Sequence, residues 1–211
     1  MSYPPVMVKV WGKYACFTRP EMKVERVSYP VMTPSAARGV LEAIFWKPEF
    51  TWQVREIQVL APIRHFSIMR NEVSRRMSPH SAGIDITDHN IRTQRHTLGL
   101  RDVAYLILAD VQVHPGIGED PAKYRDQFRR RVAHGQCCAQ PYLGCREFSG
   151  SFAPPTGDEL PIADTDALGL MLLDIEYRES GEHLPHFFSA ELRAGVLAVP
   201  PYDFNVKGGA G

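Results

Sequence analysis

Two segments of this chain announce a helix at its first residue, and stretches with the two-residue period of a strand flank both. Thr33-Pro34 is a cap followed by a first-turn proline, and Glu119 or Asp120 followed by Pro121 repeats the device. A short polar side chain caps the free N–H groups, and proline costs nothing where its missing N–H would be unbonded anyway. The first helix carries two adjacent apolar rows, Ala36, Val40, Ile44 and Ala37, Leu41, Phe45, which make a core-facing stripe, and Lys47-Pro48 stops it. Gly135 stops the second.

Val6, Val8 and Val10 alternate with Met7, Lys9 and Trp11 as a half-buried strand that Gly12 ends or bulges. Phe50 to Leu60 reads as a strand rich in aromatic and β-branched residues, continuing past Pro62 into a partner strand through Ile68. Residues 102–113, DVAYLILADVQV, read as a buried strand. The order strand, helix, strand, hairpin, strand, helix, strand predicts an α+β fold with a ferredoxin-like β-α-β-β-α-β layout, helices lying on one face of an antiparallel sheet. Residues 70–96 lose periodicity while gathering Arg70, Arg75, Arg76, Arg92 and Arg95, and read as a long basic loop.

After Gly150 the composition shifts, with strand-like runs at 166–178 and 186–200 joined through a turn at Arg193-Ala194-Gly195. The expected division is a domain over 1–136, interrupted by the basic insertion at about 70–96, and a small acidic β-rich unit over 137–211 with a disordered KGGAG tail. Charge supports this division. The formal net charge is zero, yet residues 1–150 hold 21 Lys and Arg against 14 Asp and Glu, and residues 151–211 hold 3 against 10. Such asymmetry points to nucleic-acid contact through the basic part, or to two parts that neutralise one another.

No stretch reaches the roughly 20 apolar residues that span a bilayer, and the first residues lack the apolar run of a signal peptide, so no membrane partner and a cytoplasmic location are expected. Cys16, Cys137, Cys138 and Cys145 form no C-x-x-C pair and read as small buried side chains. No metal and no cofactor are expected, since phosphate-loop, nucleophile-elbow, H-E-x-x-H and dinucleotide motifs are absent. Gly116 and Gly118 read as a turn, and Asp85 and Asp88 as solvated acids.

The second helix carries the strongest chemical signal. Lys123, Arg125, Arg129, Arg130 and Arg131 face only one acid within it, Asp126, and Lys123 in the first turn opposes the helix macrodipole. A phosphate at that N-terminus removes the conflict, because free N–H groups and the ammonium then share one anion. Tyr124 shares a face with Phe128 and Val132, so it is equally a core residue. Arg92, Arg95, Arg125, Arg129, Arg130 and Arg146 are candidates for RNA backbone contacts; Trp11, Tyr142 and Phe148 either stack on bases or pack in the core.

The runs SYPVMTPSAARGVLEAIFWKPEF (28–50), TLGLRDVAYL (97–106) and KYRDQFRRRVAHGQCCAQPYLGCREF (123–148), in this order, resemble the CRISPR-associated Cas-five family of type I-C systems, the Dvulg subtype or "d" variant. The likeness runs from about Val6 to Tyr202. It implies a ferredoxin-like, RRM-type N-terminal domain of the RAMP superfamily with a small antiparallel β C-terminal domain. It also implies a metal-independent endoribonuclease that cuts the repeat hairpin of CRISPR precursor RNA by 2′-OH attack and stays on the 5′ handle within the type I-C interference complex. The implied partners are repeat RNA and the other subunits of that complex; binding of duplex DNA by the basic face is a third expectation. The family associates the chemistry with a tyrosine ending the first helix and a Lys-His pair starting the second. The matching positions here are Phe45, Lys123 and Tyr124. Lys123 keeps its charge, Phe45 has no hydroxyl, and Tyr124 replaces an imidazole with a phenol, leaving Tyr124 or a nearby histidine such as His134 or His89 to handle protons. A non-catalytic or weakly catalytic binding subunit is the alternative expectation.

Overall fold

The computed structural model describes residues 4–202, apart from 23, 75, 76, 79–82 and 179. Arg75, Arg76 and the tail expected to be disordered lie outside the described residues. The α-helices and strands run β1 (Val6–Ala15), β2 (Arg26–Val27), α1 (Pro34–Ile44), β3 (Phe50–Val59), β4 (His65–Val73), β5 (Arg92–Val113), α2 (Pro121–Ala133), β6 (Ser151–Ala153), β7 (Asp166–Tyr177), β8 (His183–Arg193) and β9 (Val196–Ala198). One sheet collects the strands in the order β6-β1-β5-β3-β9-β8-β7, with β2 and β4 also paired to β5.

β5 organises this sheet. It is 22 residues long, begins ten residues before the strand expected from its hydrophobic run, and serves several partners along its length. On one edge β4 pairs with its first part, from Val73↔Arg92 to His65↔Leu100, and β3 pairs with its last part, from Val59↔Tyr105 to Phe50↔Val113. The expected β3–β4 hairpin is therefore corrected: Pro62 interrupts the extended run, and each strand pairs with β5 instead of with the other. The expected basic loop is corrected with it, because 70–73 and 92–96 are paired strand. Polar and charged residues alternate on this ribbon instead of hydrophobic ones, which hides its period from a core-seeking reading.

On the opposite edge β1 pairs with β5 from Val6↔Ala109 to Ala15↔Leu100. The strand continues three residues beyond Gly12, and the register skips Lys13 and Asp102, where Asp102 takes a φ of 54°. α1 packs on β3 and β7, and α2 on β1, β5 and β6. Both helices sit on the face that carries Val6, Val8, Val10, Trp52, Val54, Tyr105 and Ile107, which form one core with Leu41, Ile44, Phe128 and Val132. Thr33 accepts from Ala36 N at 3.3 Å and caps α1 as its sequence requires.

β7 and β8 form a hairpin, and β9 joins it to the main sheet through Ile57↔Leu197. A buried ionic knot ties the same hairpin to α1. Arg38 donates to both oxygens of Asp174, at 2.6 and 2.9 Å, and to Glu42 at 2.6 Å, with all three side chains buried. Asp174 Oδ1 also accepts from Ile175 N at 2.8 Å. The cysteines depart from expectation: Cys16 is buried and Cys145 half-buried, but Cys137 and Cys138 are exposed because they lie in the turn that leaves α2.

Candidate active site

Four chain ends converge where the charged start of α2 lies. α1 ends in Phe45, β3 begins at Phe50, β5 finishes at Val113 beside it, and α2 starts at Pro121. Rings fill the space between: Phe45 and Phe50 centroids lie 5.6 Å apart, and Phe50 and Tyr124 4.9 Å apart. Trp52 Nε1 donates to the Phe45 carbonyl at 2.9 Å and closes the end of α1. His114 N bonds to the Glu49 carbonyl at 3.0 Å, joining the approach to β3 with the exit from β5.

Asp120 caps α2 by accepting from Ala122 N at 2.9 Å. Lys123 stands exposed in the first turn, its ammonium 2.9 Å from Glu119 Oε2. Glu119, immediately before the cap, supplies the anion that a lysine in a first turn requires. The i, i+4 spacing of Glu119 and Lys123 was the available signal for it. The bond to Glu119 raises the Lys123 pKa above its ordinary value, so the side chain is an ammonium at neutral pH.

Tyr124 is only 1% exposed, and its ring belongs to the core with Phe128 and Val132. Burial raises its phenol pKa; Glu49 and Glu119 push the same way, and Lys123 opposes them. The phenol stays protonated, a state suited to donating a proton and unsuited to accepting one. Phe45 is also 1% exposed. One carboxylate oxygen of Glu49, Oε2, is enclosed without a hydrogen-bond partner, and this residue was not singled out by its sequence.

The expected backbone-contact arginines do not form one cluster. Arg125 is 5% exposed and donates to the Pro4 carbonyl, because its position flanks the Tyr124-Phe128-Val132 stripe and is drawn inside with it. That burial takes it off the basic surface. Arg129 and Arg130 are exposed on α2, with Arg129 3.6 Å from Asp126. Arg92 and Arg95 stand at the far end of β5, a strand of 22 residues, or roughly 70 Å of extended chain. There Arg95 pairs with Glu72 at 3.1 Å, and Arg92 donates to the Ile86 carbonyl at 2.7 Å. Arg146 is exposed along a groove of about 730 Å³ between α1, the 139–146 segment and β7. Arg131, not among the expected contacts, donates to the Ile44 carbonyl at 3.2 Å and lies over the Phe45 ring. Trp11 and Tyr142 are exposed; Phe148 packs with Tyr14 and Phe66.

Among the described residues, no helix is long and apolar enough to cross a membrane. A solved structure titled "Crystal Structure of CRISPR-associated Protein" superimposes with a TM-score of 0.68 at 22% identity, covering 93% of this chain and 94% of that one. A functionally uncharacterized protein, SMU1763c from Streptococcus mutans, gives 0.68 at 20% identity, covering 93% and 92%. The CRISPR pre-crRNA endoribonuclease Cas5d of Thermus thermophilus is 48% identical over an alignment of 216 positions that covers 94% of this chain and 92% of that protein. The protein of the same name from Mannheimia succiniciproducens is 43% identical over 93% of this chain and 95% of its own. A family model described as CRISPR-associated protein (Cas_Cas5) matches residues 6–200, and the chain belongs to that family.

Proposed function

We propose that this chain is a cytoplasmic endoribonuclease that cuts CRISPR precursor RNA in its repeat hairpin and stays on the 5′ handle as a subunit of a type I-C interference complex. The observation that carries the reading is the 48% identity, over nearly the whole chain, to a relative named as a CRISPR pre-crRNA endoribonuclease. In the reaction a ribose 2′-hydroxyl gives up its proton to water or a nearby histidine as its oxygen bonds to the adjacent phosphorus; the bond to the 5′-oxygen breaks and that oxygen takes up a proton, leaving a 2′,3′-cyclic phosphate and a 5′-hydroxyl. Lys123 exchanges Glu119 for the phosphate and stabilises charge on the crowded phosphorus, since its ammonium is exposed and its present bond is a surface pair. Tyr124 donates a proton to the leaving oxygen or orients it. Arg129, Arg130 and Arg146 supply backbone contacts from the exposed surface, with Arg92 and Arg95 engaging a separate stretch of RNA.

The strand order β6-β1-β5-β3 with two helices on one face supports a ferredoxin-like, RRM-type core within this α+β fold, and the β7–β8 hairpin with β9 supports a smaller C-terminal unit. The test is incubation of a labelled repeat hairpin with the protein in EDTA. One cut at the 3′ base of the stem is expected; no product after prolonged single-turnover incubation refutes the enzymatic reading. Lys123→Ala is expected to slow cutting about 10²–10³-fold while weakening binding far less.

A second reading keeps the complex and discards the chemistry. The absence of a hydroxyl at Phe45 and the burial of Tyr124 favour it. Phe45→Tyr with Tyr124→His distinguishes the two: a large gain in cutting marks the wild type as chemically impaired. Engagement of duplex DNA by the basic surface is tested by competing random duplex against repeat RNA at matched salt.

A further inference from the structure

The sheet face turned away from both helices carries Met7, Lys9, Trp11 and Lys13 in a row along β1, alternating with the buried valines. Trp11 is 38% exposed, whereas Trp52 on the opposite face is fully buried. Beside Trp11 lies a cleft of about 570 Å³, within the range of about 300–1,000 Å³ usual for small-ligand sites. Lys9, Lys13, Asp102 and Val103 line it from the sheet, and Pro154 and Thr156 wall it from the loop after β6.

Two features show that this cleft is held open by the fold. The β1–β5 register skips Lys13 and Asp102, and Asp102 adopts a φ of 54°, a left-handed conformation that residues other than glycine rarely take. The unpaired Lys13 and Asp102 face each other there without any shift of register on either side. The opposite wall is fixed by Glu159, whose carboxylate accepts from Thr156 N, Thr156 Oγ1 and Gly157 N, each at 2.9 Å, and also takes Lys9 Nζ at 3.4 Å. Lys13 is exposed, and the cleft's other acid, Asp102, lies 3.8 Å from Arg64.

We infer that this cleft holds an unpaired nucleotide of RNA, its base stacked on Trp11 and its neighbouring phosphates on Lys13 and Lys9. An aromatic plate between two cations is how sequence-tolerant single-strand sites are built. Lysine is depleted from protein–protein interfaces, so this row favours nucleic acid over a protein partner. The inference rests on the reading of this chain as an RNA-binding protein, but its residues lie on the opposite sheet face from Phe128 of α2 and share none with the Lys123 site.

The test measures the affinity of the full chain for a short unpaired oligoribonucleotide and for blunt duplex RNA of the same length, using wild type, Trp11→Phe, Trp11→Ala and Lys13→Ala. Trp11→Ala is expected to weaken unpaired binding about 5- to 150-fold and duplex binding much less, with Trp11→Phe close to wild type. Quenching of tryptophan emission by the oligomer is expected in wild type and lost in Trp11→Phe, a readout that holds even if the alanine variant folds poorly. Equal affinity of Trp11→Ala and wild type for the unpaired strand overturns the inference. So does a Trp11→Ala protein that keeps its RNA affinity but no longer joins the other complex subunits, which would make the cleft a protein interface. Trp11-dependent binding without hairpin cutting in EDTA refutes the enzymatic reading and leaves this one standing.

Discussion

Replacing Arg38 by Met tests whether the C-terminal hairpin is held to α1 by its buried ions. The guanidinium makes three hydrogen bonds to two carboxylates, and Asp174 is 1% exposed and Glu42 6% exposed. Methionine fills much of the same volume without any donor. Asp174 keeps its bond from Ile175 N, but both carboxylates lose the charge that compensates their burial. Breaking a buried pair from one side costs about 3–5 kcal/mol. At about 2–4 °C per kcal/mol for a chain of this size, Tm should fall by roughly 6–20 °C. Thermal melts at pH 7 measure the loss, and hydrogen exchange should show it concentrated in β7 and β8. Asp174→Asn in the same molecule should recover part of the loss, because it removes the stranded charge while keeping shape and an acceptor. A fall below about 3 °C, or a double variant no better than the summed single losses, would refute the argument that Arg38 compensates these buried charges.

Glu119→Gln should free Lys123 from an exposed surface pair that adds little to stability, so Tm stays unchanged while affinity for repeat RNA at low salt rises about twofold; weaker binding would place Glu119 among the RNA contacts. Tyr124→Phe keeps the ring against Phe50 and removes only the hydroxyl, so single-turnover cutting should slow about 10²-fold or more with Tm nearly constant; an unchanged rate confines Tyr124 to packing. Glu159 is held down at about 2 by the Thr156 N–H, with Gly157 N–H and the Thr156 hydroxyl adding to it. A depressed carboxyl contributes stability above its unfolded value of about 4.5 and loses it as pH falls toward 2, so proteolysis of 154–160 by an acid-active protease should accelerate on going from pH 5 to pH 2.5.

Both helices were legible because their starts are chemical: Thr33 and Asp120 cap where a hydroxyl and a carboxylate precede proline. The core stripe of α2 was equally plain, since Tyr124, Phe128 and Val132 recur at helical spacing and all three are buried. The β4–β5 ribbon was not, because its residues are largely exposed on both faces and so lack the alternation that marks a strand against a core. Strand partnership was hidden as well. Nothing local in His65–Val73 says that it pairs with residues near 92–100 instead of the strand just before it. Of the site, Lys123 was recognisable from its conflict with the helix macrodipole. Glu49 and the inward turn of Arg125 depend on tertiary placement that no spacing reports.

β5 binds distant parts of this molecule into one mechanical member. A chain extended through 22 residues, with paired neighbours on both edges near its middle, resists bending better than two shorter strands joined by a loop. Whatever grips the ribbon at Arg92–Arg95 therefore also fixes the direction in which the sheet's other end, and the lysine beyond it, faces.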